Sequence, residues 1–585
     1  MQLIHRPLLL LKSRLSDKNF LIASSILVGL TSGLLAVVLK YAVHLMGRLP
    51  SIAKGSDEFA IVAVFPFVGI ILAIYFTRRY LKGYLNKGSA AIVYAILKKS
   101  SLIRFTECYG HLATSALTVG LGGSLGLESP MVSTGSAIGS NYARTYQLSY
   151  KERTVLLGCG AAAGIAAAFN SPVAGVLFVI EVLLTDISAS SFIPLIISAA
   201  CGALVSKIIL SEGITLAFTL QQPFNYYNVP FYVLLGIVCG LVSIVYRRIF
   251  HGIEVQFETI NNRWLKAIIG GLILFMLIMI FPPLFGEGYE GVKLLELRNP
   301  ERMLHGSLLA GFIKSEPAIL TFVGLLVIFK AVAAAVTLSS GGNGGSFAPS
   351  LVIGSYLGFL FSRIANLTKL TTLPVSNFTI VAMAGILSGI FYAPLTAIFL
   401  IAEITGGYGL IIPLMIVSSL SLVTVHLFEP LSMEGKKLST LLKLTVETKD
   451  KLLLSRIDLH ELVETTFAPV DVNASLKDLV SQIASSSRNM FPVIDDDHKL
   501  VGLIYLDQIR RIMFDQSKYE TTTVRQLMVK PPAIVELNDN IYEVLSRFES
   551  TGQWNLPVID NGRYMGFLSK STILSRYRKE LMDVS

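Results

Sequence analysis

Two stretches of this chain, GLGGSLGLESPMVSTGSAIGS (Gly120 to Ser140) and SSGGNGGSFAPSLVIGSYLGF (Ser339 to Phe359), repeat one design. Each strings glycines and serines ahead of a proline, Pro130 or Pro349, and then enters a helical run. Each is followed by a small-residue apolar segment that ends in a glutamate. These are AAAGIAAAFNSPVAGVLFVIE (Ala161 to Glu181) and AMAGILSGIFYAPLTAIFLIAE (Ala382 to Glu403). Both features recur at an offset of about 220 positions, the mark of an internal repeat. Two copies of a helix pattern broken by glycine and proline point to a transporter-type membrane fold with its site where the repeats meet.

The wider composition agrees. Of 585 residues, 53% are hydrophobic and only 15% charged, against about 25% charged in a soluble domain. Apolar segments recur at Phe20–Leu45, Phe59–Phe76, Phe192–Leu210, Phe231–Tyr246, Ala267–Phe285 and Phe378–Ile404. A spanning helix needs roughly 20 mostly apolar residues, so the chain reads as a polytopic, integral membrane protein.

The net charge of +10 does not point to nucleic acid, because much of it flanks the apolar segments. Arg6, Lys12, Arg14 and Lys18 precede the first, and Lys436 and Lys437 follow the last. The positive-inside tendency then places both termini in the cytosol, with an even number of crossings of a plasma (inner) membrane. The N-terminal segment does not read as a signal peptide, since its apolar run is too long and lacks a cleavage site. Cys108, Cys159, Cys201 and Cys239 stand singly among apolar residues, as packed thiols do. No His/Cys/Asp cluster has metal-ligand spacing, and no nucleophile elbow or phosphate-loop lysine occurs, so neither a metal site nor an enzyme is expected.

Composition changes after Leu438 to that of a soluble α/β protein. Two further repeats follow, from Val470 to Met513 and from Ala533 to Leu574. In each, a strand and an amphipathic helix lead to a PVID strand, a polar turn, a strand with an early glycine, and a helix. FPVIDDDHKLVGLI and LPVIDNGRYMGFL resemble paired CBS modules. The expected organisation is a basic cytosolic tail over 1–19 and a membrane domain over 20–435. Its halves, about 20–220 and 230–435, divide near QQPFNYYNV (Gln221 to Val229). A linker over 436–462 and CBS modules over 463–517 and 524–585 complete it. If each half holds an odd number of spans, the second is inverted and the glycine loops approach the membrane middle from opposite sides.

The loops carry the chemistry. Glycine permits close backbone approach, proline suits a first helical turn, and the free N–H groups of a helix start favour an anion. GSLGLESP presents Gly126 and Glu128, while GGNGGSFAPS presents Gly344, Gly345, Ser346, Phe347 and Ala348 as backbone donors ahead of Pro349. Facing helix starts hold an anion without a full cation, weakly enough for it to leave. A carboxylate at such a site, Glu128, competes with the anion for the same donors and can swing aside or take a proton. The pairs Gly160/Gly164 and Gly236/Gly240 read instead as helix-packing glycines. Glu181 and Glu403, at equivalent helix ends, read as structural hydrogen-bond acceptors, and Lys207 and Lys330 as residues near the membrane edges.

The membrane domain resembles the ClC family of chloride channels and chloride/proton exchangers. GLESP (Gly126 to Pro130) stands where the family has GxEGP, with Ser129 for the second glycine, and GGSFAPSLVIG matches GGxFxPxLxxG. FNSPVAGVLFVIEVLL and FYAPLTAIFLIAEIT match the two helices that follow, and many family members end in two CBS modules. The resemblance implies an all-α polytopic membrane domain of two inverted repeats followed by an α/β CBS-pair cytosolic domain. It also implies a homodimer with one pore per subunit, chloride or another small anion as the transported species, and Glu128 as the gate. Phe192–Leu210 and Ile411–Leu427 are the expected dimer surfaces.

Three departures bear on mechanism. The family's GSGIP filter segment aligns with Asn86–Ala90, putting Lys87 in place of the filter serine beside Gly88, with Ser89 as the other register. The inner-gate tyrosine aligns with Glu434, and Val182 stands where proton-coupled members often carry a second glutamate. Val182 and the missing tyrosine favour a passive chloride channel, and Glu434 as a proton relay would favour an antiporter. An ion pair between Lys87 and Glu434 is one expectation, both side chains reaching cytosolic water the other. No cofactor is required. For an adenine nucleotide between the CBS modules, the family's ribose-binding Asp aligns with Thr572 in the second module, and in the first Asp507 lies close to that position but not cleanly at it, the alternative being a structural dimerisation module.

Overall fold

The computed structural model describes residues 16–53, 59–184, 189–210, 222–296, 299–369, 371–442 and 458–584. Arg6, Lys12 and Arg14 of the basic tail, Gln221 between the halves and linker residues 443–457 lie outside the described residues. The chain forms two compact units, one running to Lys443 and the other from Leu444 onward.

The first unit is entirely helical among the described residues. Its first half comprises α1 (Asp17–Ala53), α2 (Phe59–Tyr80), α3 (Ser89–Lys98), α4 (Thr106–Gly120), α5 (Glu128–Thr145), α6 (Tyr150–Phe169), α7 (Pro172–Phe178) and α8 (Ala189–Leu210). The second comprises α9 (Val229–Glu258), α10 (Arg263–Ile280), α11 (Tyr289–Glu296), α12 (Glu316–Ser339), α13 (Phe347–Leu367), α14 (Val375–Phe391), α15 (Pro394–Ile404), α16 (Ile411–His426) and α17 (Met433–Leu441). Eight helices among the described residues are long and apolar enough to cross a membrane. The prolines explain the short ones. Pro172 and Pro394 sit in the first turns of α7 and α15, where a missing N–H costs nothing.

Glycine sets how closely the helices pack. A Cβ on Gly160 would lie 1.9 Å from the Gly135 carbonyl oxygen, so α5 and α6 touch backbone to backbone. The second half repeats this between α13 and α14, where a Cβ on Gly358 would lie 2.2 Å from the Phe378 carbonyl oxygen. Gly164 packs on Met131, and Gly236 and Gly240 pack on α16, so both GxxxG pairs serve helix packing. Cys108, Cys159 and Cys239 are buried free thiols, and Cys201 is a half-buried one.

The two halves are tied by reciprocal caps. Glu181, in the π-helical turn Val179–Leu183 that extends α7, accepts from the Leu395 and Thr396 amides at 2.9 and 2.7 Å and from the Thr396 hydroxyl at 2.6 Å. Glu403, at the end of α15, accepts from the Val173 and Ala174 amides at 3.1 and 3.0 Å. Each half thus closes the other's Pro-led helix, satisfying amides that a helix start leaves open.

The second unit holds two three-stranded sheets of one plan. In the first, β1 (Val470–Asp471) runs parallel to β2 (Met490–Ile494), which pairs antiparallel with β3 (Leu500–Tyr505). In the second, β4 (Val535–Glu536), β5 (Asn555–Asp560) and β6 (Arg563–Ser569) repeat that order. Pairing slips at the same point of each PVID strand, after Val493 and after Val558. The helix between the first two strands of each sheet, α18 (Leu476–Ala484) and α21 (Ile541–Thr551), buries one apolar face beneath it. Between them lie α19 (Leu506–Ile509) and α20 (Val524–Leu527), and α22 (Lys570–Val584) closes the chain.

Candidate anion site

The two glycine loops meet directly. Gly126 N donates to Gly345 O and Gly345 N to Gly126 O, both at 2.8 Å, forming an isolated antiparallel bridge. Two residues beyond each glycine a helix begins, α5 at Glu128 and α13 at Phe347. The backbone arrangement is therefore shared by the two halves, and the side chain at its tip differs.

Glu128 is buried, at 3% exposure. Its Oε1 accepts from the Tyr289 hydroxyl at 3.1 Å. Its Oε2 is buried without a hydrogen-bond partner. That oxygen lies against Gly126, where a Cβ would stand 2.0 Å from it and 2.7 Å from the Ala348 Cβ. The carboxylate is therefore held at one oxygen and lodged by the other against the α13 start. Phe347, opposite, packs among Phe169, Phe178 and Phe391 with ring centroids 5.7, 6.2 and 5.3 Å away.

A cavity of about 710 Å³ joins these groups. Glu128, Ser346 and Phe347 border it together with Lys87, Ser89 and Glu434. The starts of α3, α5 and α13 thus share one space, which suits a small anion held by amides. The cavity mouth is charged: Lys437 pairs with Glu254 at 3.0 Å, Lys436 with Glu429 at 3.0 Å, and Arg248 with Glu429 at 3.8 Å.

Lys87 and Glu434 border the same cavity but do not form the expected ion pair. Lys87 Nζ donates to the carbonyls of Gly341 and Gly342, at 3.1 and 2.6 Å. Glu434, in the first turn of α17, accepts from the Ala90 amide at 2.8 Å. Each charge is met by backbone dipoles that lie nearer than the other side chain. Both side chains are half-buried on the cavity wall and hydrogen-bonded to backbone groups. Gly88, at φ 84°, caps α3, and a Cβ there would stand 3.3 Å from Glu434 Oε2. Ser89 is buried in the first turn of α3.

Lys330 corrects a second expectation. It is fully buried in mid-α12, not at a membrane edge, and donates to Ser124 Oγ at 2.8 Å and to Gly286 O at 2.9 Å. Lys207 is exposed on α8. Val182 sits in the π turn and packs against the helical core. Sequence reasoning missed Tyr289 as the donor to Glu128 and the buried role of Lys330. A lone lysine within FVGLLVIFKAVAAAV was the available signal, because an ionisable residue inside such a run needs a partner.

In the second unit, Asp507 is exposed and pairs with Arg510 at 2.5 Å. The Thr572 hydroxyl donates to Glu464 at 2.8 Å.

Comparison with known proteins places this geometry. Residues 69–426 match the family described as voltage gated chloride channel, and residues 459–515 and 524–579 each match the CBS domain. The chain belongs to this ClC family and carries two CBS domains after its membrane unit. It is 29% identical over 368 residues to a putative chloride channel protein, ClcB-like, of Ralstonia nicotianae, a match spanning 62% of this chain and 81% of that protein. It is 27% identical over 414 residues to the H(+)/Cl(-) exchange transporter ClcA of Vibrio cholerae, spanning 67% and 84%. Its fold is shared with the crystal structure of a slow cyanobacterial Cl-/H+ antiporter, at a TM-score of 0.63 and 21% identity over 73% of this chain and 99% of that one.

Proposed function

We propose that the protein is a ClC-type channel that conducts chloride passively, with Glu128 as its gate. One observation carries this reading. The Glu128 carboxylate lodges, with an unpartnered oxygen, where the helix starts of the two halves converge on a shared cavity. An ionised carboxylate there competes with chloride for the same positive ends. Once protonated, it loses that attraction and yields the place.

Gly126, Gly345, Ser346, Phe347 and Ala348 would hold the anion at the centre, and Lys87, Gly88 and Ser89 would border it nearer the cavity mouth. Glu434 would act there as a second carboxylate that an arriving anion displaces from the Ala90 amide. Val182 supports passive conduction, because it supplies no acid at a position where proton-coupled members of the family often carry one. The antiporter reading is supported by the acids and hydroxyl gathered at Glu128, notably Tyr289.

The same proposal places the protein as a homodimer in the plasma (inner) membrane with both termini cytosolic. Apolar side chains left exposed on α8 and α16, among them Ile193, Ile208, Ile412 and Val423, support those helices as the dimer surface. An adenine nucleotide between the CBS modules would use the exposed Asp507. Calorimetric titration of ATP and AMP into the full-length protein checks this, with D507A expected to weaken the binding heat.

The deciding experiment is chloride flux from proteoliposomes with simultaneous pH recording. A channel moves chloride without stoichiometric protons and reverses at the chloride equilibrium potential. Flux rises as pH falls, and E128A abolishes that dependence. Fixed proton coupling would replace the channel reading with the antiporter one.

A further inference from the structure

A second group of ionisable side chains meets Glu128 without lining the cavity. The loop between α10 and α11 reads Phe285-Gly286-Glu287-Gly288-Tyr289, and both its glycines have positive φ, 63° and 96°. This left-handed geometry folds the loop tightly onto the first glycine loop. Gly286 N donates to Gly122 O at 2.8 Å, and Gly286 O accepts from Lys330, whose ammonium also holds Ser124. A Cβ on Gly288 would lie 3.1 Å from Lys330 Nζ. The loop is thereby pinned at both ends, with Tyr289 delivering its hydroxyl to Glu128 Oε1.

Glu287 lies between these anchors. It is half-buried, and its carboxylate faces Glu128, Lys330, Lys40 and the Leu127 amide. Lys40, from α1, also donates to Ala167 O at 3.0 Å. The cluster therefore draws on α1, α5, α11 and α12 and holds two acids and two lysines. With both acids ionised, the charges balance. A fully buried ammonium such as Lys330 would otherwise be costly, so the acids answer a need of the fold as well. One added proton leaves the cluster net positive, a state that favours an arriving anion.

We propose that Glu287 is a positioning acid that shares the gate's proton with Glu128 and sets the pH at which the pathway opens. A proton taken from water first resides on the Glu287 carboxylate. Transfer to the Glu128 carboxylate leaves Glu287 ionised and Glu128 neutral, with the cluster's total charge unchanged by the transfer. The inference rests on the reading of Glu128 as the gate.

The test is chloride flux as a function of pH in proteoliposomes of the full-length protein, for wild type, E287Q, K330M and E128A. E287Q removes a like charge beside Glu128 and lowers its hold on the proton. The midpoint should move to lower pH by about one unit, a tenfold change in proton affinity. K330M removes the opposing charge and should move the midpoint the other way. A structural role alone would lower folded yield without moving the midpoint in either direction. An unshifted midpoint in whichever of the two variants remains monodisperse overturns the inference. Retention of wild-type pH dependence by E128A would instead overturn the gate reading itself, so the two failures are distinguishable.

Discussion

The two halves of the membrane unit agree at their edges and disagree at their centre. Glu181 caps α15 and Glu403 caps α7, the same residue type doing the same work in each direction. At the Gly126–Gly345 bridge the backbones again correspond, yet Glu128 stands at one tip and Phe347 at the other. The caps fill helix starts permanently with carboxylates that belong to the protein. The central site has one carboxylate lodged with an unpartnered oxygen and one aromatic wall. A duplicated scaffold thus supplies several helix starts of similar character. The side chain placed at each decides whether it becomes a joint or a place an ion can occupy.

The largest expected effect tests the shared scaffold. Gly135→Val would push side-chain atoms into the Gly160 backbone, where a Cβ already lies 2.0 Å from the carbonyl oxygen. Backbone cannot yield as a side chain can, so a loss of more than about 3 kcal/mol and of monodisperse protein is expected. Gly324→Val serves as the control, because the nearest atom to its Cβ position is 3.8 Å away. Equal folded yields for the two variants would break the claim that backbone contact sets the helix spacing.

Next is the carboxylate nearer the mouth. Glu434→Ala frees the Ala90 amide, and a hydrogen bond to a charged group is worth about 1.5–3 kcal/mol. The chloride concentration giving half-maximal flux should fall about tenfold, the response to roughly 1.4 kcal/mol. An unchanged value would class Glu434 with the permanent caps and narrow the contrast to Glu128 alone.

The caps themselves come third. E181A and E403A should each cost about 1–2 kcal/mol, the range for losing a helix cap. Thermal unfolding in detergent checks this, and chloride flux at low temperature should persist in both. A large difference between the two would mean that the edges are not equivalent. The smallest effect belongs to Lys87→Met, which leaves the Gly341 and Gly342 carbonyls short of a donor. A loss of about 1 kcal/mol in thermal stability, with a shift in anion preference, is expected.

Much of this was legible in the chain. The paired glycine loops, the apolar runs that end in glutamate and the doubled PVID strands marked a twice-repeated membrane domain followed by a twice-repeated α/β unit, and the family resemblance implied the inversion and the CBS pair. Local pattern is enough there, because glycine, proline and hydrophobic period act through the backbone of their own segment. Glu181 and Glu403 were readable as structural acceptors, but not their exchange between halves. Lys87 and Glu434 were expected to seek each other, since opposite charges near one site are the simplest pairing. The nearby carbonyls of Gly341 and Gly342 and the Ala90 amide are backbone groups, which no side-chain pattern advertises. Lys330 shows in sequence only that it needs a partner; that Ser124 and Gly286 supply one depends on the packing of remote segments.

By itself, then, the order of residues determined the repeats, the broken helices, the acid at the first loop and the α/β appendage. Each of these follows from chain-local propensities. Only tertiary structure decided that Gly126 would bridge Gly345, that Tyr289 would reach Glu128, and that Glu287, Lys40 and Lys330 would gather behind it. Those contacts join segments from remote parts of the chain, and their energies depend on distance and burial, quantities that exist only once the helices have packed.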